Sequence, residues 1–311
     1  MSKITTAVDL LKKDRVGFLC VILKKLLNNK IACVLKDDAF LKICFFSQTR
    51  KKLDLKNPKT FNEKLQWLKL YDRNPLYTSL VDKYAVKKFV AKLIGENYVI
   101  PTLGVWNKFD EIDFDNLPNQ FVLKCTHDSG GLVICKDKSR LNMVEAKEKI
   151  ELSLKKNYYW NYREWPYKNV PPRIIAEMYM EDPSCKGLLD YKFYTFNGVP
   201  HFLLLASNRQ SKEKELSFDY FDMDFNHLPL VNHWHPNNMV DFLEKPKSFD
   251  KMKHLVTVLA KNIPHVRADF YEVSGQIYFG ELTFFDMGGF LRIKPNSWDR
   301  EWGDLIQLPN K

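Results

Sequence analysis

The sequence contains few of the residues that build cross-linked, repetitive or membrane-spanning proteins. Its six cysteines form no Cys-x-x-Cys pair and no zinc-ligand spacing, which is typical of reduced, mostly buried thiols in a cytosolic protein. The 12 glycines and 15 prolines are too few for a collagen-like or low-complexity chain. The nearest candidate for a membrane span, Val16–Leu27, is short and contains Lys24 and Lys25, and no small-residue cleavage site follows it. A folded cytoplasmic protein is therefore predicted, and 311 residues suffice for two or three subdomains.

Positive charge is concentrated at the N-terminus. Residues 1–60 contain 14 Lys or Arg and 5 Asp or Glu, a balance of +9, whereas the whole chain carries +10. A basic, partly amphipathic segment suits docking on anionic lipid, on an acidic polymer or on nucleic acid. A solvated helical surface rich in lysine explains the same pattern, so both interpretations stay open.

Hydrophobic periodicity predicts helices early in the chain and short strands later. Residues 1–50 indicate two or three helices, and Thr60, three residues before Glu63, is a predicted N-cap for a helix over Phe61–Tyr71. Further helices are predicted over Asp82–Ile94, Leu141–Lys156 and Phe249–Asn262. The predicted strands are Tyr98–Pro101, Phe121–Lys124, Val133–Cys135, Ile174–Tyr179, Lys192–Phe196 and His201–Ala206. The mixture indicates an α+β fold with a helical N-terminal part.

A β-hairpin is predicted near the C-terminus. Val266–Val273 and Ile277–Phe284 are rich in β-branched and aromatic residues, and Ser274-Gly275-Gln276 separates them. A three-residue loop would pair Val273 with Ile277. A two-residue Ser-Gly turn would instead shift the register and move side chains of the second strand to the other face.

The three-residue loop would make this hairpin a candidate metal site. It pairs Asp269 with Glu281 and Arg267 with Thr283, and side-chain alternation then places all four on one face. Facing carboxylates destabilise a bare sheet, and a hard cation such as Mg²⁺ removes their repulsion. An ordinary amphipathic hairpin with an exposed polar face is the alternative.

Two more strands carry polar residues suited to a nucleotide. The strand Phe121–Lys124 precedes the small, polar loop Cys125–Gly131, whose backbone N–H groups are suited to phosphate, although a common Ser-Gly-Gly hairpin turn explains it as well. Glu177 lies in an apolar strand, where a carboxylate needs donors, either adenine or ribose groups or a cation such as Arg173. The same two explanations, a nucleotide partner or a cationic partner, apply to Asp190 and Lys192.

Three further motifs have weaker indications. The aromatic segment Asn157–Tyr167 contains Arg163, which would suit a loop that grips a carboxylate or phosphate, or a packed structural loop. Asp222-Met223-Asp224 is a DxD motif of the kind that binds metal and diphosphate in many sugar-nucleotide transferases, but it is short and also typical of a surface turn. His233-Trp234-His235 lacks a third soft ligand and is better explained as loop residues.

Taken in order, these segments resemble the TupA-like branch of the ATP-grasp superfamily, which occurs in bacterial surface-polysaccharide gene clusters. The resemblance covers roughly residues 53–309. It implies an ATP-grasp fold, in which two α+β subdomains clasp ATP, over residues 76–311, after a basic helical region over residues 1–75. The matching segments are Asn57–Trp67, Asp82–Val86, Leu117–Lys124, Arg163–Tyr167, Asp190–Phe193 and Phe279–Phe285.

The resemblance also implies roles in binding ATP. Lys83 and Lys124 would contact the phosphates. Glu177 would lie at the adenine hinge, and Asp190 would bind the ribose. The loop over the triphosphate would include Thr126, Ser129, Gly130 and Gly131.

The remaining implied roles concern catalysis and Mg²⁺. Arg267 would face the γ-phosphate and the acyl-phosphate transition state, with Lys124 as the second catalytic cation. Asp269, Glu281 and Thr283 would hold Mg²⁺. Thr283 stands where many ATP-grasp enzymes have asparagine, and the sequence after ELTFF, Asp286–Gly289, also departs from the family.

The implied reaction is the ATP-dependent joining of a carboxylate and an amine through an acyl phosphate. The expected substrates are a uronic acid in a capsule or O-antigen glycan and an amino acid or other amine, with ATP and Mg²⁺ as cofactors. The basic N-terminus would suit the acidic glycan or the inner face of the membrane, and no nucleic acid partner is expected. Alternatives are a glycosyltransferase that uses Asp222 and Asp224, and a non-catalytic carbohydrate-binding protein.

Overall fold

The structure is a computed structural model that describes residues 14–27, 30–182, 188–208, 214–238 and 245–310. Within these ranges, five α-helices precede the first strand, and antiparallel strands and further helices follow. The helices are α1 (Arg15–Leu27), α2 (Asp37–Thr49), α3 (Phe61–Tyr71), α4 (Leu76–Val81), α5 (Ala85–Ile94), α6 (Met143–Leu154), α7 (Tyr159–Tyr162), α8 (Phe249–Leu259) and α9 (Trp298–Leu305). The strands are β1 (Thr102–Trp106), β2 (Phe121–Cys125), β3 (Leu132–Cys135), β4 (Ile174–Met178), β5 (Asp190–Phe196), β6 (Val199–Ser207), β7 (Ser217–Phe221), β8 (His227–Leu228), β9 (Val231–Asn232), β10 (His265–Val273), β11 (Gln276–Thr283) and β12 (Ile293–Lys294).

Local capping explains where two of the helices begin. The prediction for α3 is confirmed, because the Thr60 hydroxyl accepts the N–H of Glu63 and the Glu63 carboxylate accepts the N–H of Thr60, which forms a capping box. The helix predicted from Asp82 begins instead at Ala85. The Asp82 carboxylate accepts the N–H groups of Tyr84 (2.9 Å) and Ala85 (3.3 Å), so Asp82 lies in the turn before the helix and binds the backbone at its start.

The smaller sheet has four antiparallel strands in the order β1-β4-β2-β3. Its core includes Phe121, Leu123 and Ile174 from the strands and Ile150 from α6. The strand predicted at residues 98–101 is wrong: the chain there makes a 3₁₀ turn and a single bridge from Val99 to β11, and β1 follows it. The other predicted strands correspond to β2 to β6.

The larger sheet has six antiparallel strands in the order β11-β10-β5-β6-β7-β8. Phe193 of β5 and Phe270 of β10 lie on the face that packs against Phe249 of α8. Side chains alternate along a strand, so the residues on either side of these phenylalanines face the opposite surface. That second face carries the polar residues described below.

The N-terminal helices share a hydrophobic core with the larger sheet. Phe45 of α2 packs against Phe290, with ring centroids 6.2 Å apart, and Phe61 of α3 packs against Phe196 of β5 at 6.1 Å. The division at residue 75 stays a prediction. In the part of the chain that the structure describes, no helix is both long and apolar enough to cross a membrane, and the five cysteines there are free.

The predicted β-hairpin forms, but its turn differs from the predicted one. Val273 pairs with Gln276, so the turn contains only Ser274 and Gly275, both with positive φ, and the predicted pairing of Val273 with Ile277 is wrong. A β-bulge then skips Gly280 and restores the register. The pairs Asp269–Glu281 and Arg267–Thr283 therefore occur as predicted.

Gly280 is required by this bulge. A Cβ atom there would lie 3.0 Å from the carbonyl oxygen of Asp269 and 3.1 Å from the Tyr271 ring. We expect Gly280→Ala to lower the free energy of unfolding by about 1–3 kcal/mol, because the neighbouring backbone cannot move aside easily. Urea unfolding measures the change. Gly130→Ala is the control, since its Cβ would meet nothing closer than 3.9 Å, and equal stability of the two variants would contradict the prediction.

The burial of His265, at the start of β10, predicts that the folded protein loses stability in acid. Its ring is buried between Phe61 and Phe196, and burial lowers the pKa of His265 to about 4. The unfolded chain binds the proton near pH 6.5, so stability is complete above that pH and decreases as the pH falls toward 4, by up to about 3 kcal/mol. Urea unfolding between pH 7 and 4 should show a shallower decrease for His265→Gln than for wild type. The exposed His254→Gln variant should follow wild type, and parallel curves for all three proteins would contradict the prediction.

Candidate active site

A cavity of about 180 Å³ lies between the two sheets. The smaller sheet contributes Lys124 from β2 and Glu177 from β4, and the larger sheet contributes Asp190 from β5 and Glu281 from β11. Residues from segments more than 150 positions apart therefore meet here. The remaining lining residues are Lys83, Val86, Lys87, Val99, Ile100, Asp128, Ser129, Gly130, Gly131, Leu132, Lys192, Tyr271, Phe279 and Gly280.

Strand register aligns the polar residues of the larger sheet. Arg267 and Asp269 of β10 pair with Thr283 and Glu281 of β11 on one side. On the other side of β10, Asp269 lies opposite Lys192 of β5. Because paired residues project to the same face, these side chains form one continuous polar cluster beside the cavity.

Arg267 is the centre of this cluster. Its Nε and Nη2 atoms donate to the two carboxylate oxygens of Asp269 at 2.7 and 2.8 Å. Nη1 donates to Asp286 at 2.6 Å, and Nη2 also lies 3.2 Å from Glu281 and from the Thr283 hydroxyl. The planar guanidinium thus satisfies several acceptors at once, which an ammonium group would not reproduce.

Lys192 bonds to Asp190, which the resemblance assigns to ribose, and to Asp269, which it assigns to Mg²⁺. Its ammonium lies 2.7 Å from the Asp190 carboxylate and also bonds to Asp269. All three side chains are almost completely buried. A buried charge is tolerated only when it is paired, so each of these groups depends on its neighbours.

The electrostatics of the cluster maintain the charged forms. Burial acts to raise the pKa of Asp269, but Arg267 and Lys192 outweigh it and the pKa is lowered. For Arg267, burial favours the neutral form, yet the adjacent Asp269 and Asp286 raise its pKa well above the usual value. Both shifts favour the charged forms of Asp269 and Arg267.

Glu177 is held by two lysines on the opposite wall. Lys87 and Lys124 each lie 2.5 Å from its carboxylate, and Arg173, the cation considered from the sequence, pairs with Asp82 instead. Burial acts to raise the pKa of Glu177, but the two lysines lower it overall. Glu177 thus has a cationic partner, which was one of the two explanations left open.

Lys83 and the glycine loop form another wall. The Lys83 ammonium donates to the carbonyl of Asp128, and burial lowers the pKa of Lys83. Ser129, Gly130 and Gly131 line the cavity. The loop is fixed by the Asp128 carboxylate, which accepts the N–H of Gly131 at 3.1 Å and the Ser153 hydroxyl.

Thr126 does not line the cavity. It is fully buried, and its hydroxyl donates to the carbonyl of Pro171 at 3.2 Å. Its backbone carbonyl accepts the N–H of Lys83 at 3.1 Å. The structure thus places Thr126 beneath the loop, where it helps to position Lys83.

Four residues of the site form contacts that were not predicted. Lys192 was considered together with Asp190, and it shares the face of Asp190 because it is two positions away on one strand. Lys87 appears in the sequence only as one of several lysines on an amphipathic helix. Asp128 and Asp286 lie in turns, where no periodic pattern indicates the direction of a side chain.

Arg163 of the aromatic segment is structural. Its side chain is 1% exposed, its guanidinium lies 4.1 Å from the Phe40 ring centroid, and its Nε lies 3.2 Å from Asp37. Nη2 donates to the carbonyl of Ala32 at 2.7 Å. Arg163 therefore anchors the segment to α2 and does not reach the cavity.

The DxD motif forms a turn at the far edge of the larger sheet. The Asp222 carboxylate accepts the N–H groups of Asp224 (2.9 Å) and Asn226 (2.8 Å) and the Asn226 side-chain amide. These bonds use both oxygens of Asp222 within the turn. The arrangement matches the surface-turn interpretation, and the glycosyltransferase alternative stays a prediction.

The side chains beside Arg267 carry oxygen atoms, which are the type of ligand that Mg²⁺ prefers. No cluster of three His, Cys, Asp or Glu side chains able to hold a metal occurs in the described ranges. Mg²⁺ in nucleotide enzymes commonly uses only one or two carboxylates, together with water and substrate phosphates. Asp269, Glu281 and the Thr283 hydroxyl provide such a set, although the two carboxylates already bond to Arg267.

Comparisons with known proteins place this arrangement in a family. The D-alanine–D-alanine ligase from Bacillus anthracis, solved with ATP, is 16% identical over 66% of this chain and 53% of its own, with a TM-score of 0.38. The corresponding ligase from Helicobacter pylori is 13% identical over 75% of this chain and 62% of its own, with a TM-score of 0.41. A D-cycloserine synthetase is 15% identical over 74% and 71% of the two chains, with a TM-score of 0.39. No curated protein gives a significant match. The model of the TupA-like ATP-grasp family matches residues 63–307, so the chain belongs to this family and has the α+β ATP-grasp fold that the sequence predicted.

Proposed function

We propose that the protein is an ATP-dependent carboxylate–amine ligase. The observation that carries the proposal is the meeting of Lys83, Lys124, Glu177 and Glu281 around one cavity between the two sheets, with the buried Asp269 paired to Glu281 beside it. Cations on three sides suit the charge of a triphosphate, and facing carboxylates suit its magnesium ion. Family membership supports the same assignment.

In the proposed reaction the substrate carboxylate attacks the γ-phosphorus of ATP. The bond from that phosphorus to the bridging oxygen breaks, and ADP leaves with the electron pair. An amine then attacks the acyl carbon, loses a proton and expels phosphate, which leaves an amide. The charge that develops on the phosphoryl oxygens is the part of the reaction that a protein stabilises by position and electrostatics.

Each cation has a distinct task in this proposal. Lys83 and Lys124 bind the phosphates, and Arg267 stabilises the charge on the transferred phosphoryl group. Mg²⁺, held by Asp269, Glu281 and Thr283 when bound, neutralises phosphate charge. Arg267 has to release part of its contact with these carboxylates before they share a metal, because it now bonds to both.

The proposed substrates are a uronic acid of a capsule or O-antigen polysaccharide and an amino acid or amine. The family resemblance and the basic N-terminus suggest an acidic glycan. We also propose a peripheral contact of α1 with anionic lipid at the inner face of the membrane. It is supported by basic residues in the last turn of α1, Lys24 and Lys25, together with apolar side chains that are exposed to solvent. These apolar side chains are Val16, Leu19, Val21, Ile22 and Leu26.

The experiment is incubation of the full-length protein with Mg-ATP and panels of uronates and amines. ADP release and the mass of the product are recorded together. An amide whose formation matches the release of ADP would support the proposal. Release of UDP from a UDP-sugar without ADP would favour the glycosyltransferase alternative, and failure to bind Mg-ATP would favour a non-catalytic binding protein.

A further inference from the structure

A second cavity, of about 380 Å³, lies away from the residues assigned to ATP. It is bounded by the end of α2, the start of α3, strand β12 and helix α9. None of the residues predicted to bind ATP or Mg²⁺ lines it. Its composition therefore needs a separate explanation.

Positive charge dominates this second cavity. Arg50, Lys51, Arg292 and Lys294 line it, against a single carboxylate, Asp299. Asp299 is already engaged, since it accepts the backbone N–H of Asn62 at 3.0 Å. A concave site with four cations and one occupied carboxylate favours an anionic ligand.

Two of the four cations are free to bind such a ligand. Lys51 and Lys294 are exposed, and their ammonium groups make no hydrogen bond or short ion pair with the part of the chain that the structure describes, although the charge of Lys51 acts to lower the pKa of Asp299. Arg50 is paired with Asp14 at 2.7 Å, and Arg292 donates to the carbonyl of Gln48. The arginines thus form a fixed basic wall, while the lysines remain available.

The apolar part of the wall is aromatic. Phe61, Trp298 and Trp302 line the cavity, and the rings of Trp298 and Trp302 lie 6.3 Å apart at near right angles. Phe61 and Trp302 are buried at the back of the cavity, and Trp298 is partly exposed. Aromatic faces pack against the C–H faces of sugar rings, whereas bare phosphate needs no such surface.

Packing connects this cavity to the proposed active site. The Trp302 ring contacts Tyr194, with centroids 4.9 Å apart, and the Tyr194 hydroxyl donates to Asp286, the partner of Arg267. Arg292 is only six residues after Asp286, so their Cα atoms lie within about 20 Å of each other. A chain-like ligand bound here is therefore held near the reacting groups.

We propose that this second cavity binds a carboxylated saccharide and serves as a docking site for the acidic glycan. Its role as the place where the glycan awaits modification rests on the proposed ligase function. Binding of the saccharide itself does not, because it needs neither ATP nor the residues around Arg267. The carboxylate pairs with Lys51 and Lys294, and a sugar ring lies against Trp298, the partly exposed ring of the cavity.

Calorimetric titration of the full-length protein with trigalacturonate, without ATP, tests the site. The test variant is Lys51→Gln/Lys294→Gln. The control is Lys149→Gln/Lys251→Gln, which removes the same charge from exposed positions on α6 and α8. We expect the wild type and the control to bind equally and the test variant to bind about tenfold more weakly. Added NaCl should weaken wild-type binding, and neutral maltotriose should bind much more weakly than trigalacturonate.

Three results would overturn the assignment: no binding of trigalacturonate, equal affinity for maltotriose, or equal affinity of the test and control variants. Thermal unfolding of each variant shows whether it folds, and Lys294→Glu, a single exposed change, repeats the test with reversed charge. Binding at the cavity without any amide product would retain the docking site and reject the ligase. Formation of an amide, together with wild-type glycan binding by the test variant, would retain the ligase and reject the docking site.

Discussion

Replacing Arg267 with lysine is expected to reduce ADP formation by about 10²–10³-fold, the usual effect of removing one donor that stabilises a transition state. The variant retains a positive charge among Asp269, Asp286 and Glu281, so these carboxylates are not left without a cation. It loses the planar fork that contacts several oxygens at once. Steady-state ADP release, measured with saturating Mg-ATP, provides the comparison.

The matched control for this variant is Arg300→Lys. Arg300 lies on α9, is exposed, and pairs with the exposed Asp304 at 2.9 Å, so the same substitution there should leave turnover unchanged. Thermal unfolding of both variants separates a loss of catalysis from a loss of fold. Wild-type turnover in Arg267→Lys would show that Arg267 is structural and would remove it from the proposed mechanism.

Replacing Glu281 with glutamine is expected to raise the Mg²⁺ concentration needed for half-maximal ADP formation by about 10–100-fold. The amide keeps the size of the side chain but removes the negative charge that attracts a hard cation. The Glu281 side chain is 44% exposed, so the variant should fold, whereas Asp269 is buried between Arg267 and Lys192 and its replacement would disturb both.

Asp222→Asn is the matched control, because it makes the same carboxylate-to-amide change in the DxD motif. It should leave the Mg²⁺ dependence as it is in wild type, since Asp222 bonds within its own turn. The reverse outcome, with a changed Mg²⁺ requirement in Asp222→Asn alone, would support the glycosyltransferase. An unchanged Mg²⁺ requirement in Glu281→Gln would remove this residue from the metal site.

The elements that were predicted correctly depend on local chemistry. The capping box at Thr60 and the alternating pattern of β10 and β11 each depend on residues that are only a few positions apart. The pairing of Asp269 with Glu281 was reached through an incorrect turn. Eleven residues separate the two, and a three-residue loop or a two-residue turn with one bulge accommodates that number equally well.

The contacts that were not predicted join distant parts of the chain. Glu177 pairs with Lys87, 90 positions earlier, and many exposed-looking lysines compete for that role in the sequence. Arg267 pairs with Asp286 only because the intervening turn brings the carboxylate back to β10. Such pairs depend on how the sheets pack together, which the period of hydrophobic residues does not specify.

The position of Arg163 has a practical consequence for the basic N-terminal region. Asp37 pairs with Arg163 and accepts the Tyr159 hydroxyl at 2.5 Å, so α2 supports the aromatic segment from below. Truncation of residues 1–50 would release that segment as well as remove the lysines, and it would confuse two effects. Neutral substitutions at Lys24 and Lys25, which leave α2 intact, are the cleaner way to ask whether the protein associates with lipid.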